Sequence, residues 1–401
     1  MIAFDDFPIP FRLLLLTLRW QLSQDERSQC RSLIQAGVDW NDFVDLALHH
    51  RVETLVFEVL NSLDTIYSLR VPAEVLRELE QQARFNAFRA VLSATEIDRI
   101  VRRFAAEGFE LAILKGVALS QQVYGSASVR NVGDIDLLST SERLPRQIEL
   151  LAELGYPLTI PASRLTPRRI ASFAKYWKDC TCENQDQGLT VELHWRLFNN
   201  SFHPGNRILA VATLRTETVF NVPMRVLTPA DQLLYQATHG LSDAWIYLKT
   251  LADVAGYLRV LTPEELDAAL ARAASIGLLA HVSAAIHLAN DWLGADCTNP
   301  RLLSADHAIG VAVRSRTERL LLQRNFRPDR DDPSPADWAR LEMELVPGPR
   351  SKMEIARRIL NRPRLWSRFD LPDRLFWLYP VLGALLPPRP HTPRSDLQAV
   401  E

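Results

Sequence analysis

Apolar residues recur every three or four positions through the first hundred residues of the chain. The segments with the clearest spacing are FRLLLLTLRW, ERSQCRSLIQAG, WNDFVDLALHH and VETLVFEVLNSL. A longer run with the same spacing extends from Ala73 to about Phe104, and Pro72 stands where a helix would begin. This periodicity predicts amphipathic helices, and we assign residues 1–106 to an N-terminal helical segment.

The pattern changes at Gly108, where short apolar or alternating segments replace the helical spacing. FELAILK, VGDIDLLS and LTVELHWRL have the length of strands, and a further strand is predicted around Phe173 to Cys182. The polar stretch from Glu183 to Gly188 predicts a turn that joins this strand to LTVELHWRL as an antiparallel hairpin. VALSQQVYG and SERLPRQIELLAELGY read as helices. Residues 107–230 are therefore predicted to form a small α/β core.

Helical spacing returns after this core. IYLKTLADVAGYLRV, PEELDAALARAASIG and AHVSAAIHLANDWLG are amphipathic, whereas residues 326–350 are rich in proline and charge and predict a loop or a short helix. The predicted fold class is α+β, with a small mixed-sheet core flanked by helical segments. The C-terminal helical domain covers residues 231–401 and ends in a basic, aromatic tail.

Composition and charge exclude several classes of protein. The chain has 401 residues, 47% of them hydrophobic and 23% charged, which is typical of a folded globular protein. A net charge of −2 gives no overall attraction to nucleic acid or membrane, so any such contact must be local. Asp5 and Asp6 are unlike the basic start of a secretory signal, and the apolar runs are too short to cross a bilayer. We expect a cytoplasmic protein whose four cysteines are structural thiols.

One local concentration of positive charge lies near the C-terminal end. Between Arg350 and Arg394 ten lysines and arginines stand against three acids, with tryptophan, phenylalanine and tyrosine interleaved. Such a segment is a candidate for peripheral contact with an anionic membrane or with a nucleic acid. The simpler interpretation is a helical tail with buried aromatic residues and solvated arginines.

The main chemical motif is Gly133-Asp134-Ile135-Asp136. In a strand, residues two apart point to the same side, so both carboxylates would face one space while Ile135 faces the core. Two carboxylates that close together favour a bound cation, and Mg²⁺ takes oxygen ligands of this kind. The alternative is an acidic pair on a solvated strand end.

A third acid is available in Val191-Glu192-Leu193-His194. The alternation places Glu192 and His194 on one face, so Glu192 would complete a three-carboxylate cage for two metal ions if the two strands are neighbours. His194 is then either a hydrogen-bond partner of a carboxylate or a structural histidine. Trp195 is more typical of core packing than of stacking on a base.

Positive charge for a phosphate is predicted just before these acids. Lys115 and Gly116 lie where a strand ends and a helix begins, where glycine permits close backbone approach and the helix N-terminus favours a phosphate. Lysine occurs at only five positions in a chain with 46 lysines and arginines, which draws attention to Lys115. Arg130 is a second candidate phosphate ligand. Lys249 and Asp253 are best explained as an ion pair one helical turn apart.

The motifs together resemble a known family. LAILKGVALSQQVYGSASVRNVGDIDLL, VELHWRL and LLYQATHGLSDAWIYLKTLADVAGYL are similar to the uncharacterised nucleotidyltransferases of the DNA polymerase β-like superfamily. The resemblance runs from the N-terminal helices to about residue 290. It implies a nucleotidyltransferase core in which metal ions support transfer of a nucleoside monophosphate from a nucleoside triphosphate, with release of pyrophosphate.

The resemblance also implies roles for individual residues. Asp134 and Asp136 match the metal-binding pair, Glu192 matches the third acid, and Gly116 matches the glycine that meets the triphosphate. The chain departs from the wider superfamily in having Lys115-Gly116 in place of a Gly-Ser pair and a glutamate as the third acid. The candidate nucleotide-binding residues are Lys115, Gly116, Arg130 and Gly133.

Three functions remain open at this point. The first is transfer of a nucleoside monophosphate from a triphosphate, with Mg²⁺ or Mn²⁺, to an unidentified hydroxyl-bearing acceptor that is a small molecule, saccharide, peptide or RNA. The second is a glycosyltransferase, because an Asp-x-Asp motif also holds a metal-bound nucleotide sugar, although Lys115-Gly116 and Glu192 argue against it. The third is an inert scaffold that retains an ancestral site.

Overall fold

A computed structural model of the chain describes residues 4–67, 70–161, 165–303, 307–327, 335–346 and 348–386. The N-terminal part is helical, as predicted, with a 3₁₀ turn at Phe4–Asp6 before the helices α1 (Ile9–Thr17), α2 (Gln24–Gly37), α3 (Trp40–His49), α4 (Glu53–Tyr67) and α5 (Ala73–Ala105). Local signals set these bounds. Ser23 and Glu26 form a capping box at the start of α2, and Asp39 accepts a hydrogen bond from a backbone N–H at the start of α3.

A seven-stranded mixed sheet forms the core. Its strands are β1 (Ala112–Ile113), β2 (Ile135–Leu138), β3 (Leu158–Ile160), β4 (Asp179–Asn184), β5 (Leu189–His194), β6 (Leu214–Val219) and β7 (Val222–Leu227), in the spatial order β3-β4-β5-β2-β1-β7-β6. β2 runs parallel to β5, β1 runs parallel to β7, and the other neighbours are antiparallel. The α+β fold class and the β4–β5 hairpin are thus confirmed.

The helices of the core are α6 (Val117–Tyr124), α7 (Leu144–Glu153), α8 (Pro167–Tyr176) and the single turn α9 (Ile208–Val211), with a 3₁₀ turn at Pro204–Arg207 before it. The strand predicted around Phe173 to Cys182 is wrong in its first half, because Phe173 lies in α8 and the strand begins at Asp179. Thr166 caps this helix, Pro167 occupies its first turn, and Phe173 packs inward from it. These local signals outweigh the apolar run that suggested a strand.

The C-terminal helices are α10 (Pro229–Ser242), α11 (Leu248–Val260), α12 (Pro263–Ser275), α13 (Leu279–Leu293), α14 (Pro300–Leu303), α15 (His307–Gln323), α16 (Pro335–Leu345), α17 (Pro349–Leu360), α18 (Pro363–Phe369) and α19 (Leu378–Leu385), with a 3₁₀ turn at Asp373–Leu375. The proline-rich stretch therefore includes the helix α16, while residues 328–334 and 347 lie outside the described part. No helix in the described ranges is long and apolar enough to span a bilayer.

Two hydrophobic clusters organise these elements. One joins the N-terminal helices to α10–α13 and continues to α16, so residues from both ends of the chain share a core. The other lies around the sheet and includes the C-terminal half of α5. Trp366 and Tyr379 also belong to this second cluster, where Trp366 packs 6.2 Å from Phe173 between ring centroids. The helices α18 and α19 thus pack on the α/β core and not on the preceding C-terminal helices alone.

Candidate active site

Parallel pairing of β2 with β5 brings the acidic residues together. Asp136 lies opposite Glu192 in the register, and Leu138 lies opposite His194. Among the described residues, Asp136, Glu192 and His194 form the group whose potential metal-binding atoms all lie within 4.8 Å of one another. The predicted meeting of acids from two separate strands therefore occurs for Asp136 and Glu192.

His194 links the two carboxylates. Its Nε2 atom is 3.1 Å from Oδ1 of Asp136 and 3.4 Å from Oε2 of Glu192. Its Nδ1 atom is 3.6 Å from Oδ2 of Asp179, and the whole imidazole is buried. Burial and Lys178 act to lower the pKa of His194, but the carboxylates around it outweigh them and raise that pKa above its usual value.

Asp134 lies one residue before β2 and is half-buried. It is not a member of the 4.8 Å group, whose third position is taken by His194. Its backbone carbonyl oxygen instead lies against Gly116, where an added Cβ would be 3.7 Å away. The preceding Gly133 offers its carbonyl to Nη2 of Arg89 at 2.9 Å, so an arginine of α5 fixes the approach to β2. Arg89 was missed from the sequence.

Lys115 enters the same space from the end of β1. Its Nζ atom is 3.8 Å from Oδ1 of Asp136 and 3.1 Å from Nε2 of His239, and it lies 5.4 Å from the ring centroid of Tyr235. Gly116 follows with φ 66° and ψ −132°, a conformation that side chains strongly disfavour, and it forms the N-cap of α6. Lys115 therefore lies beside Asp136, and Gly116 lies against the backbone of Asp134.

The charges in this space are arranged to offset one another. Burial would raise the pKa of Asp136, but Lys115 and His194 outweigh it and hold that pKa well below the usual range. Burial would lower the pKa of Lys115, but Asp136, Tyr235 and Glu192 together outweigh it, raise that pKa and hold the lysine protonated. Burial and then Lys115 lower the pKa of His239, so this imidazole is neutral and its Nε2 can accept a hydrogen bond from the ammonium.

A second lysine belongs to the site and was missed from the sequence. Lys178 forms an ion pair with Asp179 at the start of β4, the strand next to Glu192. Burial lowers the pKa of Lys178, but Asp179 and Glu192 outweigh this effect and raise it. The rarity of lysine in the chain was the signal that could have identified Lys178.

Trp195 packs its ring 5.7 Å from that of Phe173, in keeping with the core role expected for it.

Arg130 forms a buried ion pair with Asp253. Its Nε atom is 2.9 Å and 3.0 Å from the two carboxylate oxygens of Asp253 on α11. Asp253 therefore pairs with Arg130, and the expected ion pair of Asp253 with Lys249 is replaced by this longer-range contact. Lys249 lies one turn earlier, on a cleft also lined by Arg51 and Asn131. Burial, with Arg130 nearby, lowers the pKa of Lys249 to about 7.

The donor set fits a divalent cation of the kind predicted. The carboxylates of Asp136 and Glu192 are ligands that suit Mg²⁺ or Mn²⁺. The position of Lys115, 3.8 Å from Asp136, marks a place where the protein stabilises positive charge. His194 suits the role of a donor that orients both carboxylates, because its Nε2 lies close to an oxygen of each.

A family profile and a solved structure are similar to this chain. A profile of the family described as uncharacterised nucleotidyltransferase matches residues 36–294, which is well over half of the chain. No curated protein matches. Among solved structures, an antigenic nucleotidyltransferase-like protein from Paracoccidioides brasiliensis is similar at 16% identity, with 47% of this chain and 91% of that chain covered and a TM-score of 0.30. Because this profile covers more than half of the chain, the chain belongs to the uncharacterised nucleotidyltransferase family.

Proposed function

We propose that the protein transfers a nucleoside monophosphate from a nucleoside triphosphate to a hydroxyl-bearing acceptor, with Mg²⁺ or Mn²⁺ held by Asp136 and Glu192. Family membership supports nucleotidyl transfer in general. The observation that carries the proposal is the register that sets Asp136 opposite Glu192, with Lys115 3.8 Å from Asp136. Asp134 is proposed as a further ligand that acts when nucleotide and metal are bound.

When bound by Asp136 and Glu192, a divalent cation would neutralise phosphate charge and lower the pKa of a hydroxyl next to it. The protein's own residues position the reactants. Lys115 supplies a compact positive charge for the β or γ phosphate, and Gly116 at the N-terminus of α6 lets phosphate oxygens approach backbone N–H groups. His194 orients the carboxylates of Asp136 and Glu192, which would hold the cation.

The proposed reaction is an in-line displacement at the α-phosphorus. The acceptor oxygen forms a bond to the α-phosphorus while the bond from that phosphorus to the bridging oxygen breaks, and pyrophosphate leaves. The hydroxyl proton passes to a nearby base or to water. Most of the rate would come from holding the two groups in line and from neutralising charge in a buried site.

The proposal is tested with radioactive nucleotides. The protein is incubated with each α-labelled nucleoside triphosphate, ATP first, with Mg²⁺ or Mn²⁺ and a cell extract that supplies the acceptor. We expect label to move to a new product while pyrophosphate is released. The variant Asp136→Asn should lose at least about a hundredfold of this activity, because even groups that only support a metal ligand are worth 10- to 100-fold. Asp186→Asn, in the exposed β4–β5 turn, is the matched control and should retain it.

Two other outcomes would overturn the proposal. Release of a nucleoside diphosphate from a nucleotide sugar, with no use of triphosphates, would assign glycosyl transfer instead. If no triphosphate binds in the presence of either metal, and Asp136→Asn changes nothing, the protein is a scaffold.

A further inference from the structure

The helix α19 exposes a row of apolar side chains. Trp377, Val381 and Leu385 are 62%, 47% and 72% exposed. They stand four residues apart, so they lie on one side of the helix, one turn after another. We call these three residues the α19 row. All nine tryptophans lie at positions that the structure describes, and Trp377 is the one whose side chain is exposed.

The helices around the row carry a strong positive charge. The exposed basic residues of the described stretch 348–386 are Arg350, Lys352, Arg357, Arg364, Arg368 and Arg374. The exposed acid in this stretch is Asp370, and its carboxylate is already paired with Arg169 at 2.8 Å. This excess of positive charge occurs in a chain whose net charge is −2, so it is a local feature and not a general property.

The row is held in place by the fold. The backbone of Gly383 packs so closely on the end of α17 that an added Cβ would lie 1.9 Å from the carbonyl oxygen of Leu360. On the buried side of α19 the hydroxyl of Tyr379 accepts a hydrogen bond of 2.9 Å from Arg169. Because one side of the helix is fixed to the core in this way, Val381 and Leu385 cannot turn inward.

We propose that the α19 row docks on an anionic lipid surface, with its apolar side chains at the boundary between head groups and acyl chains and the surrounding basic residues on lipid phosphates. Tryptophan favours that boundary, and aliphatic residues gain by leaving water there. Exposed arginines and lysines are attracted to an anionic leaflet. The contact would be peripheral, since it involves one short helix.

Charge and side-chain chemistry favour a membrane over a nucleic acid or a second copy of the chain. Proteins that bind single-stranded nucleic acid use aromatic side chains on which bases stack. Two of the three row residues, Val381 and Leu385, have no aromatic face. A second copy of the chain would bring two sets of six exposed positive residues together across a symmetric contact. An anionic lipid surface complements both the apolar row and the positive charge.

The test is sedimentation of the full chain with vesicles of phosphatidylcholine alone or mixed with phosphatidylglycerol. We expect binding to the anionic vesicles that weakens as salt is added. The variant Trp377→Ser/Val381→Ser/Leu385→Ser should bind at least about tenfold more weakly. Neutralising Arg364, Arg368 and Arg374 to Gln should weaken binding on the order of 100-fold, since each base near the surface contributes about fivefold.

Matched controls distinguish docking through the α19 row from nonspecific binding to vesicles. Phe88→Ser removes a 65% exposed aromatic residue from α5, and Arg84→Gln removes an exposed base from the same helix, so neither should change binding. Brominated acyl chains should quench part of the tryptophan fluorescence, and Trp377→Phe should abolish that quenching while binding persists. Thermal unfolding checks that each variant is folded.

Several results would overturn the proposal. One is failure to bind anionic vesicles at low salt, and another is equal binding by the variant with three serines. Binding to an oligonucleotide that depends on the α19 row, without vesicle binding, would assign the surface to nucleic acid. A dimer in sedimentation velocity that the three serines dissociate would assign it to a second copy of the chain.

Discussion

Lys115 is the residue whose role most needs to be separated from that of its neighbours. Its ammonium lies between Asp136 and His239, so it can serve as a ligand for phosphate or as a simple counter-charge for the carboxylate. The two roles have different consequences for catalysis and for metal binding. A phosphate ligand contributes to catalysis, whereas a counter-charge occupies space that a metal ion would take.

We predict that Lys115→Met lowers kcat/KM for the nucleotide by about 10- to 100-fold, because a hydrogen bond to a charged group is worth about 1.5–3 kcal/mol. Lys115→Arg should not restore activity, since the wider guanidinium does not fit a site built for a point charge. Lys175→Met, at an exposed position of α8, is the control and should be silent. Retained activity together with tighter metal binding in Lys115→Met would show that the lysine is only a counter-charge.

Buried histidines make stability depend on pH. Burial lowers the pKa of His50 to about 3 and that of His203 to about 3. In the unfolded chain a histidine binds its proton near pH 6.5. Between these pKa values the unfolded state holds a proton that the folded state lacks, so the free energy of unfolding falls as the pH falls from about 6.5.

We predict that His50→Gln makes this fall less steep by up to about 1.4 kcal/mol per pH unit below pH 6, because one such histidine has been removed. Denaturant unfolding of the variant and the wild type at several pH values between 7.5 and 5 measures the two slopes. His49→Gln, at the half-buried neighbouring position, is the control. Parallel slopes for His50→Gln and the wild type would show that His50 is protonated in the folded state.

Among the secondary-structure elements, the junction of β1 and α6 depends on one backbone conformation. Gly116 has φ 66° and ψ −132°, which only glycine adopts without strain, whereas Gly125 at the other end of α6 has φ 69° and ψ 6°, which asparagine tolerates. We predict that Gly116→Ala lowers the free energy of unfolding by about 1–3 kcal/mol and reduces nucleotide binding. Gly125→Asn should cost less than 1 kcal/mol and leave binding intact. Equal effects of the two substitutions on binding would disprove a special role for Gly116.

The features of the site that depend on short-range patterns could be predicted from the sequence. Alternation along single strands correctly paired Glu192 with His194, and the change from strand to helix at Gly116 was visible because both are short-range patterns. The register of β2 on β5 could not be predicted from the sequence, because it joins segments more than fifty residues apart. Asp134 illustrates the limit. Alternation places it beside Asp136, but the strand begins one residue later, at Ile135, and its role as a metal ligand stays a prediction.

For the whole molecule, a buried ion pair ties the α/β core to the C-terminal helices. Arg130 comes from the loop before β2, and Asp253 comes from α11, and both are buried. Sequence spacing suggested an ion pair of Asp253 with Lys249 because they are one helical turn apart. The fold prefers the arginine, whose charge is harder to remove by burial than that of a lysine.

We predict that Arg130→Met costs about 3–5 kcal/mol of unfolding free energy, because it leaves Asp253 buried without its partner. The double variant Arg130→Met/Asp253→Leu should recover most of that loss, since both charges are then removed. Chemical denaturation of the two single variants and the double variant measures the coupling. A loss under about 1 kcal/mol for Arg130→Met would show that the pair does not tie the two parts together.

The central claim is that Asp136 and Glu192 hold a divalent cation against the phosphates of a nucleotide. Electron paramagnetic resonance of Mn²⁺, titrated with protein and ATP together, tests this most directly because free and bound Mn²⁺ give different signals. Because ATP itself chelates Mn²⁺, the measured quantity is the bound Mn²⁺ in excess of the sum for ATP alone and protein alone. We expect this excess in the wild type and in Asp186→Asn, and we expect Asp136→Asn to abolish it. An Asp136→Asn variant that is folded and still binds Mn²⁺ and ATP as the wild type does would contradict the claim.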